Sequence, residues 1–168
     1  MKHHNVLISL LLSVIIIATN MVQSSVVKAD LEPTIVRPGE WNNWRIFSEG
    51  GAPIGKFQII EGAPSGLGAA YMETPSSDDR LILGTPQFAG VRFDTIEDLE
   101  YSTYVFAGSP ASTAITLQFD IDYDLTDTNT NWQGRLVFEP YFSGSVNYGQ
   151  WQTWKPSEGK WWASGSLG

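Results

Sequence analysis

The feature that most constrains the fold is a strict alternation of apolar and polar residues in the segment 113–123. Apolar or aromatic side chains recur at every second position, at Ile115, Leu117, Phe119, Ile121 and Tyr123. A period of two places alternate side chains on opposite faces of a β-strand, so one face is buried and the other faces water. The segment therefore predicts one strand of a half-buried sheet.

Several other segments have the composition of short strands, with Val, Ile, Tyr, Phe and Thr between turn-forming residues. They are residues 54–61, 67–73, 80–83, 87–93, 100–106, 132–142 and 149–154. One helical turn is expected in 94–99, with Asp94 as the candidate N-cap. About eight strands of this kind predict an all-β fold, an antiparallel two-sheet β-sandwich of the jelly-roll type, with an open β-barrel as the alternative.

The first 29 residues have the features of a secretory signal peptide. Lys2 precedes an apolar run of 13 residues from Val6 to Ala18, and the small residue Ala29 closes the segment. Such a run is too short to span a bilayer, which needs about 20 residues. We therefore expect cleavage after Ala29, a single domain over residues 30–168, a secreted, extracellular or cell-surface location, and no stable membrane insertion after cleavage.

Charge and residue types exclude several functions. Loss of Lys2 and Lys28 with the leader changes the formal charge from −8 to −10. A surface this negative repels phosphate backbones, so nucleic acid is not an expected partner. Both histidines, His3 and His4, lie in the leader, and the chain has no cysteine. The domain therefore lacks the residues for Ser-His-Asp or Cys-His catalysis and for a zinc site with His or Cys ligands.

Three sequence blocks follow one another in the second half of the chain: LEYSTY at 99–104, WQGRLVFEP at 132–140, and WQTW at 151–154 closing with GKWW at 159–162. With them the chain resembles, over residues 52–162, a widespread family of secreted bacterial proteins. The resemblance implies a jelly-roll or lectin-like β-sandwich and brings no agreed activity or catalytic residues. Members of the family usually continue well past the GKWW block. Two alternatives therefore stay open: Trp161 and Trp162 end the last strand themselves, or the chain is truncated at its C-terminus.

An acidic run ends the segment with the clearest alternation. Asp120, Asp122 and Asp124 lie at alternate positions, and Asp127 follows. Carboxylates this close repel one another, and calcium, which takes about 6 to 8 oxygen ligands, would relieve the repulsion. Leu125 stands where an EF-hand loop has its glycine, so a solvated strand face is the preferred interpretation. Calcium held by these four aspartates is the alternative, and no other cofactor is expected.

The same run resembles the E-x-D-x-E strand signature of lectin-fold endo-glucanases, with aspartate in place of both glutamates. Retaining hydrolysis needs carboxyl groups about 5 to 5.5 Å apart, whereas strand positions i and i+4 are about 13 Å apart at the backbone. The short side chains of Asp120 and Asp124 do not bridge that gap. A glycoside hydrolase using Asp120, Asp122 and Asp124 is therefore an alternative only, no residue is assigned as catalytic, and Glu139 is interpreted as a solvent-facing carboxylate.

All seven tryptophans follow the leader, and four lie near the C-terminus: Trp151, Trp154, Trp161 and Trp162. An exposed indole face stacks on a sugar ring while polar neighbours bond the hydroxyl groups. The candidate polar neighbours are Asn147, Gln150 and Gln152. In strands, the two members of each tryptophan pair point to opposite faces, so one of each is expected to face away from the core. Packing in the core is the competing interpretation.

The sequence favours a secreted, non-enzymatic binding or surface module. Its leading activity is carbohydrate binding through exposed tryptophans, with a polysaccharide or another cell-surface component as the partner. A structural or assembly domain, in which the same aromatic residues make protein contacts, is the second hypothesis. The glycoside hydrolase is the third.

Overall fold

The computed structural model describes residues 34–124, 126, 128 and 132–165. The predicted leader and its cleavage site lie outside these residues. Nine strands form within them: β1 (Arg45–Gly50), β2 (Ile54–Ile59), β3 (Gly68–Glu73), β4 (Arg80–Gly84), β5 (Tyr101–Tyr104), β6 (Leu117–Ile121), β7 (Gly134–Phe138), β8 (Trp151–Trp154) and β9 (Trp161–Gly165). One α-helical turn, α1 (Pro140–Ser143), follows β7. No helix among the described residues has the length and apolarity needed to cross a bilayer.

The strands pair antiparallel in four small sheets, β1-β4, β2-β3, β5-β8 and β6-β7-β9, with β7 in the centre of the last. None of these sheets closes into a barrel within the described part of the chain. The predicted all-β, antiparallel, sandwich-like fold is therefore confirmed. The layers are built from four sheets of two or three strands each, where the sequence predicted two larger ones.

The core of the C-terminal half lies on the inner faces of β5-β8 and β6-β7-β9. Its buried residues include Phe138 of β7 and Trp154 of β8, whereas Val137 is buried on the other face of β7, opposite Trp162. The Tyr101 ring of β5 contacts the Phe138 ring of β7, with centroids 6.1 Å apart in an edge-to-face arrangement. Such contacts between large aromatic side chains dominate the stability of small β-sandwiches.

In the N-terminal half, β2 packs its bare backbone against side chains of β1 and β4. A Cβ atom placed on Gly55 would lie 2.5 Å from Cγ2 of Ile46 and 2.9 Å from Cδ2 of Leu81. Those distances are shorter than any carbon contact, so only glycine permits this approach. The glycine thus fixes how closely the β1-β4 and β2-β3 sheets approach each other.

The alternation in 113–123 is confirmed for β6, because Leu117, Phe119 and Ile121 are half-buried while Gln118 and Asp120 are exposed. The strand is shorter than the alternating segment, since Ala111–Thr113 forms a 3-10 turn. Strand β1 was not predicted. Its exposure pattern lacks strict alternation, and only its pairing with β4 makes it a strand.

The segment 87–93 was predicted as a strand and forms turns instead. The N–H of Ala89 donates to the carbonyl of Pro86 (2.9 Å), and Gly90 has a φ of +80°. Pro86 and Gly90 favour a turn, and their preference outweighs the β-propensity of the neighbouring residues. A single 3-10 turn follows at Phe93–Thr95, earlier than the predicted 94–99. Arg92 is its N-cap residue, and the predicted cap, Asp94, lies inside it.

The predicted strand 132–142 is also shorter than expected. It ends at Phe138 because Pro140 cannot donate a ladder hydrogen bond and instead begins α1.

Candidate ligand-binding site

Alternation along β9 sends two adjacent tryptophans to opposite faces of the β6-β7-β9 sheet. Trp161 packs on the inner face, with ring centroids 5.5 Å from Phe93 and 5.7 Å from Phe138. Its indole N–H donates to the carbonyl of Pro156 at 2.8 Å. Trp162 lies opposite Val137 on the outer face and is 42% exposed. Of this pair, Trp162 offers its ring to solvent.

The two tryptophans of β8 are divided in the same way. Trp154 is 6% exposed, and its indole N–H donates to Oγ1 of Thr103 at 2.9 Å. Trp151 lies on the other face beside Tyr104, with ring centroids 5.7 Å apart. Trp154 therefore belongs to the core. Trp151 belongs to an exposed aromatic row that continues from Tyr104 to Phe106.

Trp162 borders an open pocket of about 430 Å³ on the outer side of β9. Its lining residues are Glu139, Tyr141, Phe142, Lys160, Trp161 and Trp162, and we call it the aromatic pocket. Phe142 is 53% exposed, and its ring centroid lies 4.3 Å from that of Tyr141. The pocket thus combines accessible aromatic surface with one carboxylate and one ammonium group.

The chain forms this pocket because α1 turns it back toward the start of β9. The N–H of Phe142 donates to the carbonyl of Glu139 (3.1 Å), and the N–H of Gly144 donates to that of Pro140 (3.0 Å). Oγ of Ser143 accepts the backbone N–H of Lys160 at 3.1 Å. That bond joins residues 17 positions apart and sets the helix beside the strand.

The Glu139 carboxylate is held by the indole of Trp162. Its Oε1 atom accepts the indole N–H of Trp162 at 2.9 Å. Hydrogen bonding to Glu139 raises the pKa of the Tyr141 phenol above its ordinary value, because ionisation would set two anions side by side. Lys160, by contrast, forms no ion pair with any residue that the structure describes. The pocket therefore has a carboxylate of fixed position and an exposed cation.

The polar residues predicted from the sequence do not line this pocket. The side chain of Gln152 holds the loop before β8: its Oε1 accepts the N–H of Asn147 (2.8 Å) and its Nε2 donates to the carbonyl of Ser145 (2.9 Å). Asn147 and Gln150 are exposed in that loop, next to β8 in sequence. The predicted ligand-binding residues are thus divided between two surfaces, and only Trp161 and Trp162 border the pocket.

The predicted metal ligands are engaged with protein donors. Oδ1 of Asp120 accepts Nε of Arg135 at 2.7 Å, and Oδ1 of Asp122 accepts the N–H of Asp124 at 3.1 Å. Hydrogen bonds from Thr126 lower the pKa of Asp124. Asp127 lies outside the described residues. No group of three potential metal ligands occurs among those that are described.

Sequence reasoning missed Tyr141, Phe142 and Lys160 and interpreted Glu139 as an isolated surface carboxylate. A signal was present in the run Glu139-Pro140-Tyr141-Phe142, where proline ends a strand and two aromatic residues follow at once. The approach of this run to β9 depends on strand pairing, which has no local signature.

Comparison of the chain with family models, curated proteins and solved structures finds no match. The resemblance carried by the LEYSTY, WQGRLVFEP and WQTW blocks therefore stays a prediction.

Proposed function

We propose that the protein is a secreted, non-enzymatic carbohydrate-binding module, with the aromatic pocket as its binding site and Trp162 as the surface on which a sugar ring stacks. One observation carries the proposal. The indole of Trp162 is exposed while its N–H is committed to Glu139 at 2.9 Å. That bond fixes the orientation of the ring and leaves its face available to a ligand.

The other lining groups suit the remaining surfaces of a sugar. Tyr141 and Phe142 add apolar area beside the indole, and sugar C–H groups pack well on such rings. The Glu139 carboxylate accepts hydrogen bonds from hydroxyl groups, and the Lys160 ammonium donates them. Aromatic walls with a few convergent polar groups are the usual composition of a small-ligand site.

The residue content of the pocket favours binding over hydrolysis. Glycosidases ordinarily need two carboxyl groups flanking the scissile bond. Among the residues that the structure describes, Glu139 is the one carboxylate that lines this pocket. The predicted leader would deliver the protein outside the membrane, where polysaccharides are accessible ligands.

Affinity electrophoresis against a panel of soluble polysaccharides tests the proposal. At least one glycan should retard the protein, and Trp162→Ala should weaken that retardation about tenfold or more, as expected for loss of a central aromatic contact. Trp132→Ala is the matched control, since Trp132 is 55% exposed and does not line the pocket.

Two results would contradict the proposal. Retardation by no glycan in the panel would remove carbohydrate binding altogether. Retardation that survives Trp162→Ala but is lost in Trp151→Ala would move the site to the aromatic row of β5-β8.

A further inference from the structure

The aromatic pocket is complementary to a positive charge as well as to a sugar ring. The faces of aromatic rings are electrically negative, and a cation within about 6 Å of such a face is attracted to it. Trp162, Tyr141 and Phe142 supply these faces next to the Glu139 carboxylate. The aromatic rings and the carboxylate therefore both attract a bound cation.

Glu139 has the capacity to bind a ligand ammonium group in addition to its present partners. A carboxylate offers about four acceptor positions. The Trp162 indole occupies one of them through Oε1. The remaining positions face a half-buried site, where a hydrogen bond between two ions is about twice as strong as one between neutral groups.

The charge of the whole chain acts in the same direction. The formal net charge is −8 at neutral pH, which raises the local concentration of cations around the protein and lowers that of anions. A uronic acid would approach against this field, and its carboxylate would meet Glu139 inside the pocket. A neutral sugar would be attracted neither by the net charge of the chain nor by the charge of Glu139.

Within the described residues, Lys160 is the one group lining the pocket that opposes a cationic ligand. Its side chain is exposed and forms no ion pair within the described part of the chain. A lysine stem is flexible, so the ammonium group withdraws into water when a second cation enters. Lys160 therefore reduces the preference for a cation without reversing it.

From these charges we infer that the pocket selects amino sugars, with the amine protonated, over neutral sugars of the same shape. The inference rests on the proposed function, since it names the class of sugar that the same site takes. The ring of the amino sugar stacks on Trp162, and its ammonium group donates to Glu139.

Isothermal titration with three matched probes tests the selectivity. The probes are a β-1,4-linked glucosamine tetramer, the fully N-acetylated tetramer and the corresponding glucose tetramer, each measured at a pH at which the amine is protonated. The glucosamine tetramer should bind tightest. Its affinity should fall as salt is raised, because salt screens the attraction between charges, while the affinities of the neutral probes stay level.

Three variants locate the effect. Glu139→Gln keeps the size of the side chain and an oxygen for the Trp162 N–H, and should weaken binding of the glucosamine tetramer about tenfold. Lys160→Met should strengthen it about threefold. Glu158→Gln is the control for Glu139→Gln, because it also removes one negative charge, but at an exposed position that does not line the pocket. It should leave the affinity nearly unchanged. Thermal unfolding of each variant shows whether the fold is retained.

The outcomes separate this inference from the proposed function. Neutral tetramers that bind as tightly as the glucosamine tetramer, or an equal loss in Glu139→Gln and Glu158→Gln, would overturn the selectivity and leave carbohydrate binding in place. Binding of none of the three tetramers, together with no retardation in the polysaccharide panel, would overturn both.

Discussion

The indole N–H of Trp154 and the hydroxyl of Thr103 form a buried hydrogen bond of 2.9 Å between neighbouring strands β8 and β5. A buried indole brings one polar hydrogen into the core, and an unpaired buried donor costs about 1–3 kcal/mol. Thr103 provides the acceptor and is itself only 4% exposed. The pair lets a large aromatic side chain fill the core without that cost.

Replacing Thr103 with valine should lower the free energy of unfolding by about 1–3 kcal/mol, because the shape is kept and the Trp154 N–H loses its acceptor. Thr103→Ser is the control, since it keeps the hydroxyl and loses only a methyl group. Urea unfolding followed by tryptophan fluorescence measures both. Equal stability of the two variants would show that the hydrogen bond contributes little.

A methyl group on Gly159 should also destabilise the protein. Its Cβ would lie 2.2 Å from Cε2 of the buried Phe138 ring and 3.0 Å from Oγ of Ser143. Overpacking of this kind costs about 1–3 kcal/mol, so Gly159→Ala should lower the unfolding midpoint in urea. Gly144→Ala is the control, because its new Cβ would meet only Cζ3 of Trp154 at an ordinary 3.8 Å. A Gly159→Ala variant as stable as the Gly144→Ala control would contradict the packing described for Phe138.

The stability of the protein should fall at alkaline pH because of Tyr101. Burial raises the pKa of Tyr101 above its usual value of 10.0, and its hydroxyl donates to the carbonyl of Ile115 at 2.8 Å. Above pH 10 the unfolded chain therefore binds fewer protons than the folded one, so the free energy of unfolding decreases as pH rises. Below pH 10 the contribution of Tyr101 is fully present.

Urea titrations between pH 8 and pH 11 check this dependence. Tyr101→Phe should cost about 1 kcal/mol at pH 8 through the lost hydrogen bond and should then lose less stability toward pH 11 than the unmodified protein. Tyr123→Phe, at a position 53% exposed, is the matched control. Parallel curves for the unmodified protein and Tyr101→Phe would rule out Tyr101 as the cause.

Calcium at millimolar concentration is expected to leave the thermal midpoint unchanged. Asp120 is paired with Arg135 at 2.7 Å, and Asp122 and Asp124 accept hydrogen bonds from neighbouring residues. Binding would have to displace these donors before calcium gained its oxygen ligands. Differential scanning fluorimetry with and without calcium measures the effect. A rise in the midpoint that disappears in Asp122→Asn would instead establish calcium binding by this run.

Local patterns in the sequence were enough to predict the faces of single strands. The alternation around Phe119 correctly assigned its inner and outer residues, and the spacing of Trp151 and Trp154 correctly set them on opposite faces. These successes share a cause, since the period of a strand is a property of consecutive residues. The turn at 87–93 was missed because β-propensity is weak and neighbouring Pro86 and Gly90 decided the conformation.

The site could be predicted only in part. Trp162 was identified, but Tyr141 and Phe142, which complete the pocket, come from α1, about 20 positions earlier in the chain. Their approach follows from the register of β7 with β9, in which Phe138 lies opposite Trp161. Register is a long-range property set by which strands meet, and no short run of residues encodes it.

Strand β9 carries one tryptophan into the aromatic core and the next into the pocket, and among the described strands it pairs with β7 alone. Detachment of this one strand would therefore disrupt the aromatic core and the pocket at the same time. A ligand held by Trp162 would oppose that detachment, so occupancy should slow amide hydrogen exchange in β9 and raise the melting temperature with ligand concentration. Recognition and structural cohesion would thus depend on the same five residues.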